Sequence, residues 1–157
     1  MRIFSIMLVS LLLGLVLTNV VFAEEERAEM DECVAMTRAA AKKLLKNREA
    51  GIKEISNPKG KFVWKDSYVF VMNKQGMVLA NPFSPQFVTG KSVFSETDYN
   101  KVKPKKIFLE FVEIAFKHGE GVIDYQWPKP GTKVPSTKFT FILRVEGTDM
   151  LVGAGTY

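Results

Sequence analysis

The chain has 157 residues, of which 46% are apolar and 25% are charged, a composition typical of one compact globular domain. The 22 basic residues exceed the 17 acidic ones and give a net charge of +5, but they are scattered, which argues against a nucleic-acid partner. A single Cys and a single His exclude internal disulfides and Cys/His zinc sites and leave no recognisable nucleophile with its base. We therefore expect no enzyme, no cofactor and no metal.

Residues 1–23 are typical of an export signal. Arg2 is followed by an apolar run without charge over 3–22, and Ala23 is a small residue suited to cleavage. The run is also long enough to cross a bilayer, so an uncleaved membrane anchor is the alternative. Either interpretation places the remaining chain in the periplasm or on the extracytoplasmic face.

The segment after the signal predicts a helix over 24–48, within an N-terminal helical unit of residues 24–50. Apolar side chains recur at three- and four-residue steps, with acidic residues early and lysines late, as the helix dipole favours. The run Ala39-Ala40-Ala41 would allow close approach of a second copy, so a homodimer through this helix is a further hypothesis. Asn57-Pro58 and two glycines predict turns over 51–60 rather than more helix.

The rest of the chain predicts strands and one further helix. Two strands form a hairpin, a connecting segment follows over 82–104, a helix over 105–118 ends before Gly119, and three more strands complete the chain. The predicted strands are 68–72, 77–80, 121–127, 138–145 and 150–156. The order predicts an α+β domain in which helices lie on a five-stranded antiparallel sheet.

Several motifs over 57–157 carry a resemblance to a known family. They are Asn57-Pro-Lys-Gly60, Asp66-Ser-Tyr-Val-Phe-Val71, Gly76-Met-Val-Leu-Ala-Asn-Pro82, Phe111-Val-Glu-Ile-Ala115, Gly119-Glu-Gly121, Asp124-Tyr-Gln-Trp-Pro128 and Gly147-Thr-Asp-Met-Leu-Val-Gly-Ala-Gly155. In order and spacing they resemble the single-Cache sensor domain family. The resemblance implies a Cache domain over 51–157, with a PAS-like five-stranded antiparallel sheet, a long N-terminal helix and an extracytoplasmic small-molecule pocket.

The resemblance also implies a role. Members of the family are commonly the sensing part of chemoreceptors and histidine kinases, and small organic acids are a frequent ligand class. No further domain follows Tyr157 in this sequence, so we expect signal transduction, as in chemotaxis, to pass through a partner chain such as a membrane receptor or kinase. Asn81 stands where the resembling motif often carries His, which leaves the ligand class open.

Strand alternation selects the candidate ligand-binding residues. Tyr68 and Phe70 share one face of their strand, and Tyr125 and Trp127 share one face of theirs, so phenol and indole groups would line one pocket. A carboxylate ligand would also require a cation. The full candidate set is Tyr68, Phe70, Asn81, Pro82, Lys91, Tyr125, Trp127, Lys138 and Arg144.

Other interpretations of these residues stay open. Aromatic residues on a strand face are also typical of an ordinary core, and basic residues are more often solvated than bound to a ligand. His118 is explained by its position at a helix end, where a cation is favourable, without a site role. The alternative function is a ligand-free interaction or dimerisation module.

Overall fold

A computed structural model describes residues 26–157 of the protein. The predicted signal over 1–23 lies outside these residues. Within the described chain, no helix combines the length and apolar character needed to cross a membrane.

Two helices, α1 (Met30–Lys46) and α2 (Arg48–Ile55), open the described chain. The helix predicted over 24–48 is observed with shorter bounds, and a second helix takes the first half of the segment 51–60, where only turns were predicted. Glu29 has extended backbone angles, so α1 begins only at Met30. Asn47 is also extended, and its side chain accepts a hydrogen bond from the Ala50 amide, which restarts the helix as an N-cap.

The sheet has six strands rather than the five predicted. They are β1 (Val63–Trp64), β2 (Ser67–Asn73), β3 (Val78–Ala80), β4 (Glu120–Pro128), β5 (Pro135–Arg144) and β6 (Met150–Thr156). The order is β1-β2-β6-β5-β4, and β3 pairs with the later part of β2. All pairings are antiparallel, so the α+β class and the antiparallel sheet are confirmed.

One further helix, α3 (Ile107–Glu113), continues through a π-helical turn (Ile114–His118) and ends at Gly119. Gly119 has φ +85, which a residue with a side chain rarely adopts, so the predicted end of this helix is correct. A short 3-10 turn (Pro85–Phe87) lies in the long connection between β3 and α3.

The two faces of the sheet bury separate cores. Val69 and Val71 of β2 belong to the core that includes the buried residues of α1, among them Ala40 and Leu44. Tyr68, Phe70 and Met72 belong to a second core with α3. All seven residues of β2 are buried, because helix, loop and sheet cover both sides of this strand. The second face holds the candidate site.

Candidate functional site

The floor of the site is shaped by two strand glycines. An added Cβ at Gly153 would lie 2.4 Å from Phe70 Cζ, and one at Gly155 would lie 2.3 Å from Thr140 Oγ1 and 2.9 Å from Lys138 Cε. Side chains from the neighbouring strands therefore lie directly over β6. The two glycines therefore serve close packing within the sheet.

Aromatic rings form the walls. Trp127 of β4 contacts Tyr125 at 5.9 Å and Phe108 at 6.2 Å between ring centroids. From the connecting segment, Tyr99 and Phe87 approach the same indole at 5.1 and 5.8 Å. Three of these contacts are edge-to-face and the one with Phe87 is tilted. Such aromatic pairs are favourable beyond the apolar area that they bury. The predicted pairing of Tyr125 and Trp127 on one face is thus observed, with loop residues added to it.

Asp98 fastens the connecting segment to the edge of the sheet. Its carboxylate, in a residue that is only 5% exposed, accepts hydrogen bonds from the backbone amides of Lys105 and Gln126, both at 2.9 Å. The Tyr99 amide in turn donates to the Gln126 carbonyl at 3.0 Å. These bonds satisfy polar groups of an edge strand and hold Tyr99 against Trp127.

Two neighbouring spaces lie between these walls. The inner cavity has about 20 Å³, room for about one water-sized group, and is lined by Tyr68, Phe70, Asn81, Ile107, Phe108, Phe111, Tyr125 and Trp127. The outer cleft has about 370 Å³, within the size range of small-molecule sites. Its lining includes Phe83, Gln86, Lys129, Thr132 and Lys133. Tyr68 and Trp127 line both spaces and separate them.

The polar groups of the inner cavity are phenols and an amide. Thr140 donates a hydrogen bond to the Tyr125 hydroxyl oxygen at 3.0 Å, which leaves the phenol proton free to donate to a ligand. Burial raises the pKa of Tyr68 to about 12, although hydrogen bonding toward Trp127, Tyr157 and Asn81 opposes that rise. The side-chain oxygen of Asn81, Oδ1, accepts hydrogen bonds from the backbone amides of Phe83 and Ser84 at 3.1 and 2.9 Å. The side-chain NH2 group of Asn81 is therefore the part that a ligand would contact.

Lys138 lies beneath Tyr68. It is 0% exposed, and its Nζ has no hydrogen-bond partner among the described residues. The ammonium is 4.0 Å from the centroid of the Tyr68 ring and 5.1 Å from that of Tyr157. Burial lowers the pKa of Lys138 to about 7, while the nearby Cys33 and Asp66 oppose the shift. Lys138 is thus a buried amine on the site face of β5 whose charge is poorly compensated within the protein.

Two lysines of the outer cleft were missed by the sequence analysis. Lys129 and Lys133 belong to the Pro-rich loop after β4 and line the cleft, whose lining contains no carboxylate among the described residues. Lys129 Nζ also lies 3.2 Å from Asp66 Oδ2. Their position in the loop directly after the strand that carries Tyr125 and Trp127 could have indicated them, since loops next to a rigid strand often carry binding residues.

Four of the nine candidates line neither space. Lys138 is one of them, because it lies behind the Tyr68 ring. Lys91 is exposed, and neither Lys91 nor Arg144 lines the cleft or the inner cavity. The Arg144 guanidinium lies 5.1 Å from the Phe116 ring centroid, beside the π-helical turn. Six residues of strand, about 20 Å, separate Arg144 from Lys138, which explains why a shared face does not bring them together. Pro82 is partly buried beside Asn81 but lines neither space.

The described residues contain no group of three or more His, Cys, Asp or Glu side chains suited to a metal ion. The lone Cys33 is buried, with its sulfur 3.8 Å from Ser67 Oγ. Burial raises the pKa of this thiol, which keeps it protonated and unreactive near neutral pH.

Comparison with known proteins decides the family. A sequence model of the Cache domain matches residues 34–157, which include the sheet, α3 and most of α1. The chain belongs to the Cache domain family. The resemblance inferred from the sequence motifs is confirmed, and because Cache domains are sensory modules, the chain is not expected to be catalytic in any part that the match covers.

Solved structures share this Cache fold. A Cache chemosensory domain described for its carboxylic acid recognition has 21% identity and a TM-score of 0.67 over 81% of this chain and 91% of its own. The periplasmic sensor domain of a chemotaxis protein has 24% identity and a TM-score of 0.64, over 81% of this chain and 88% of its own. A methyl-accepting chemotaxis protein from Vibrio parahaemolyticus has 18% identity and a TM-score of 0.66, over 82% and 87%.

A curated relative is much longer than this chain. The methyl-accepting chemotaxis protein McpP of Pseudomonas putida is 23% identical over 95 residues, which are 59% of this chain and 16% of that protein. The chain therefore spans about a sixth of the length of this relative.

Proposed function

We propose that this Cache domain is an extracytoplasmic sensor that binds a small organic acid and transmits its occupancy through a partner chain, such as a membrane receptor or kinase. The observation that carries the proposal is the distribution of charge around the site. Lys138 is a buried, unpartnered amine behind Tyr68, and Lys129 and Lys133 line the cleft. A carboxylate would supply the missing negative charge.

The chemistry of the walls supports the same ligand class. Tyr68, Tyr125 and the Asn81 amide can donate hydrogen bonds, while Phe70, Phe111 and Trp127 make the rest of this lining mainly apolar. Donors in a water-poor space bind an anion more strongly than the same donors would in water. The relatives support this role, since one solved Cache domain is described for carboxylic acid recognition and others belong to chemotaxis proteins.

The ligand class is tested by a screen that compares acids with their neutral counterparts. Acetate, succinate and benzoate are measured against acetamide, succinamide and benzamide by thermal shift and titration calorimetry. A ligand that binds only the native state raises the melting temperature. We expect stabilisation by at least one acid and none by its amide. Equal effects of an acid and its amide, or stabilisation by no acid, would contradict a carboxylate sensor.

The site is then tested by substitution with the acid that binds. Tyr125→Phe removes a hydrogen bond to a charged group, about 1.5–3 kcal/mol, so affinity should fall by roughly ten to a hundred times. Lys138→Met should reduce the preference for the acid over its amide. Lys91→Met is the matched control, because Lys91 is exposed and lines neither space. Unchanged affinity in Tyr68→Phe, Tyr125→Phe and Trp127→Phe would show that these residues are core.

Homodimerisation through α1 stays a prediction. Of the three alanines that motivated it, Ala40 and Ala41 are buried and only Ala39 is exposed. Light scattering at increasing protein concentration tests it, and a strict monomer would contradict it. The outer cleft favours a ligand-binding domain over a ligand-free interaction module.

A further inference from the structure

Asp66 is a buried carboxylate shared by two distant parts of the chain. It lies in the tight turn between β1 and β2, next to Lys65, and is 6% exposed. Asp66 Oδ1 accepts a hydrogen bond from the Ala28 amide at 2.8 Å. Asp66 Oδ2 lies 3.2 Å from Lys129 Nζ. One carboxylate thus joins the segment before α1 to the outer cleft.

The segment before α1, residues 26–29, is held by only a few contacts. Thr156 of β6 donates a hydrogen bond to the Ala28 carbonyl, and Asp66 accepts from the Ala28 amide. Ala28 itself is 1% exposed and packs in the core of the α1 face. Weakening the bond from Asp66 would therefore loosen one of the two hydrogen bonds that attach Ala28 to the sheet and its turn.

Lys129 is accessible from the cleft. Its side chain is 21% exposed, it lines the cleft, and Pro128 and Pro130 flank it in the loop. The ammonium is 5.6 Å from the Tyr157 ring centroid and 3.2 Å from Asp66 Oδ2, so one side chain both contacts Asp66 and lines the cleft. A small rotation of a flexible lysine side chain is enough to exchange one anionic partner for another.

We propose that Lys129 is exchanged between Asp66 and an anion in the cleft, and that this exchange couples cleft occupancy to the attachment of residues 26–29. The inference rests on the proposed function in requiring a negatively charged ligand. When Lys129 turns to the ligand, Asp66 is left as a buried carboxylate without its cation. The Asp66 side chain is then no longer held in place by the ammonium and can turn away from the Ala28 amide, which weakens that hydrogen bond. By linkage, loosening Ala28 also changes ligand affinity.

The internal part of this coupling is tested without any ligand. Lys129→Met imitates withdrawal of the ammonium from Asp66, and hydrogen exchange is followed in a peptide that spans 26–32. We expect the Ala28 amide to exchange about tenfold faster, as for loss of a hydrogen bond to a charged group. Lys133→Met is the matched control, since Lys133 lines the same cleft without a contact to Asp66. Lys129→Arg should restore slow exchange.

Equal exchange at Ala28 in Lys129→Met and Lys133→Met would overturn the coupling, whatever the protein binds. The effect of a ligand on this coupling is tested with wild-type protein. Hydrogen exchange at Ala28 is measured with acetate, succinate or benzoate, at concentrations that calorimetry shows to be saturating. A bound acid should speed exchange at Ala28. Asp66→Asn should tighten acid binding severalfold, because the Asp66 carboxylate no longer competes with the acid for Lys129. Binding without a change at Ala28 overturns the proposal. If no acid binds, the proposed function fails, while the comparison without ligand still decides the internal coupling.

Discussion

Replacement of the buried Lys138 by Met should make the protein more stable at neutral pH. The amine is 0% exposed and has no hydrogen-bond partner, and burial lowers its pKa to about 7 from the ordinary 10.5. Between these two values the unfolded chain holds a proton that the folded chain lacks. Stability therefore rises with pH through this window, and the full cost of the charge is present below pH 7.

The magnitude follows from the same two pKa values. An interval from 10.5 to about 7, at about 1.4 kcal/mol per pH unit, corresponds to a cost of about 5 kcal/mol at and below neutral pH. Methionine has a similar unbranched shape and no charge. It loses the contacts of the ammonium with the Tyr68 and Tyr157 rings, worth about 1–2 kcal/mol. We expect a net gain of about 3 kcal/mol in the free energy of unfolding at pH 7.

Urea unfolding followed by circular dichroism measures the difference between Lys138→Met and wild type at pH 7, 8 and 9. The difference should shrink by about 1.4 kcal/mol for each pH unit. Lys133→Met, at an exposed position, should show no such dependence. A difference that stays constant between pH 7 and 9, or a variant less stable than wild type at pH 7, would refute the picture of an uncompensated buried charge.

Two further predictions concern the frame of the site. Asp98→Asn replaces an acceptor of the Gln126 amide by an NH2 group and should cost about 1–3 kcal/mol, with faster hydrogen exchange in the loop before α3. The control is Glu96→Gln, at an exposed position of the same segment, and equal exchange in the two variants would refute the clamp. Gly155→Ala should lower the free energy of unfolding by about 1–3 kcal/mol, because the new Cβ would lie 2.3 Å from Thr140 Oγ1. A melting temperature equal to that of the wild-type protein would refute the close packing.

The period of two along strands made much of the sheet and its cavity face predictable. Alternation alone placed Tyr68 and Val69 on opposite faces of β2, and Tyr125 and Trp127 on the same face of β4, because successive side chains of a strand point to opposite faces. Lys138 did not follow from this rule, because it was a candidate only as one of three basic residues near the predicted site. Strand geometry also gives the distance between Lys138 and Arg144 along β5. These two residues share a face, but they are too far apart to line one site.

The remaining features depend on contacts that local patterns do not contain. Gly51 was interpreted as a helix breaker, but an added Cβ there would lie 2.9 Å from Leu44 Cδ2, so glycine permits α2 to pack closely on α1. β1 has only two residues, too few to show alternation. The path of the Pro-rich loop that brings Lys129 to Asp66 is set by tertiary packing, which periodicity does not record.

The central pairing of the sheet constrains how the chain folds. β2, near the start of the sheet, lies beside β6, which is the last strand, and the side chain of Ser67 donates to the carbonyl of Gly155 across 88 residues of sequence. The middle of the sheet therefore cannot close until the final strand has left the ribosome. Pairing over such a sequence distance also slows folding relative to local contacts. A chain shortened before residue 150 would leave both β2 and β5 with an open edge at the centre of the sheet, exposed to pairing with other chains.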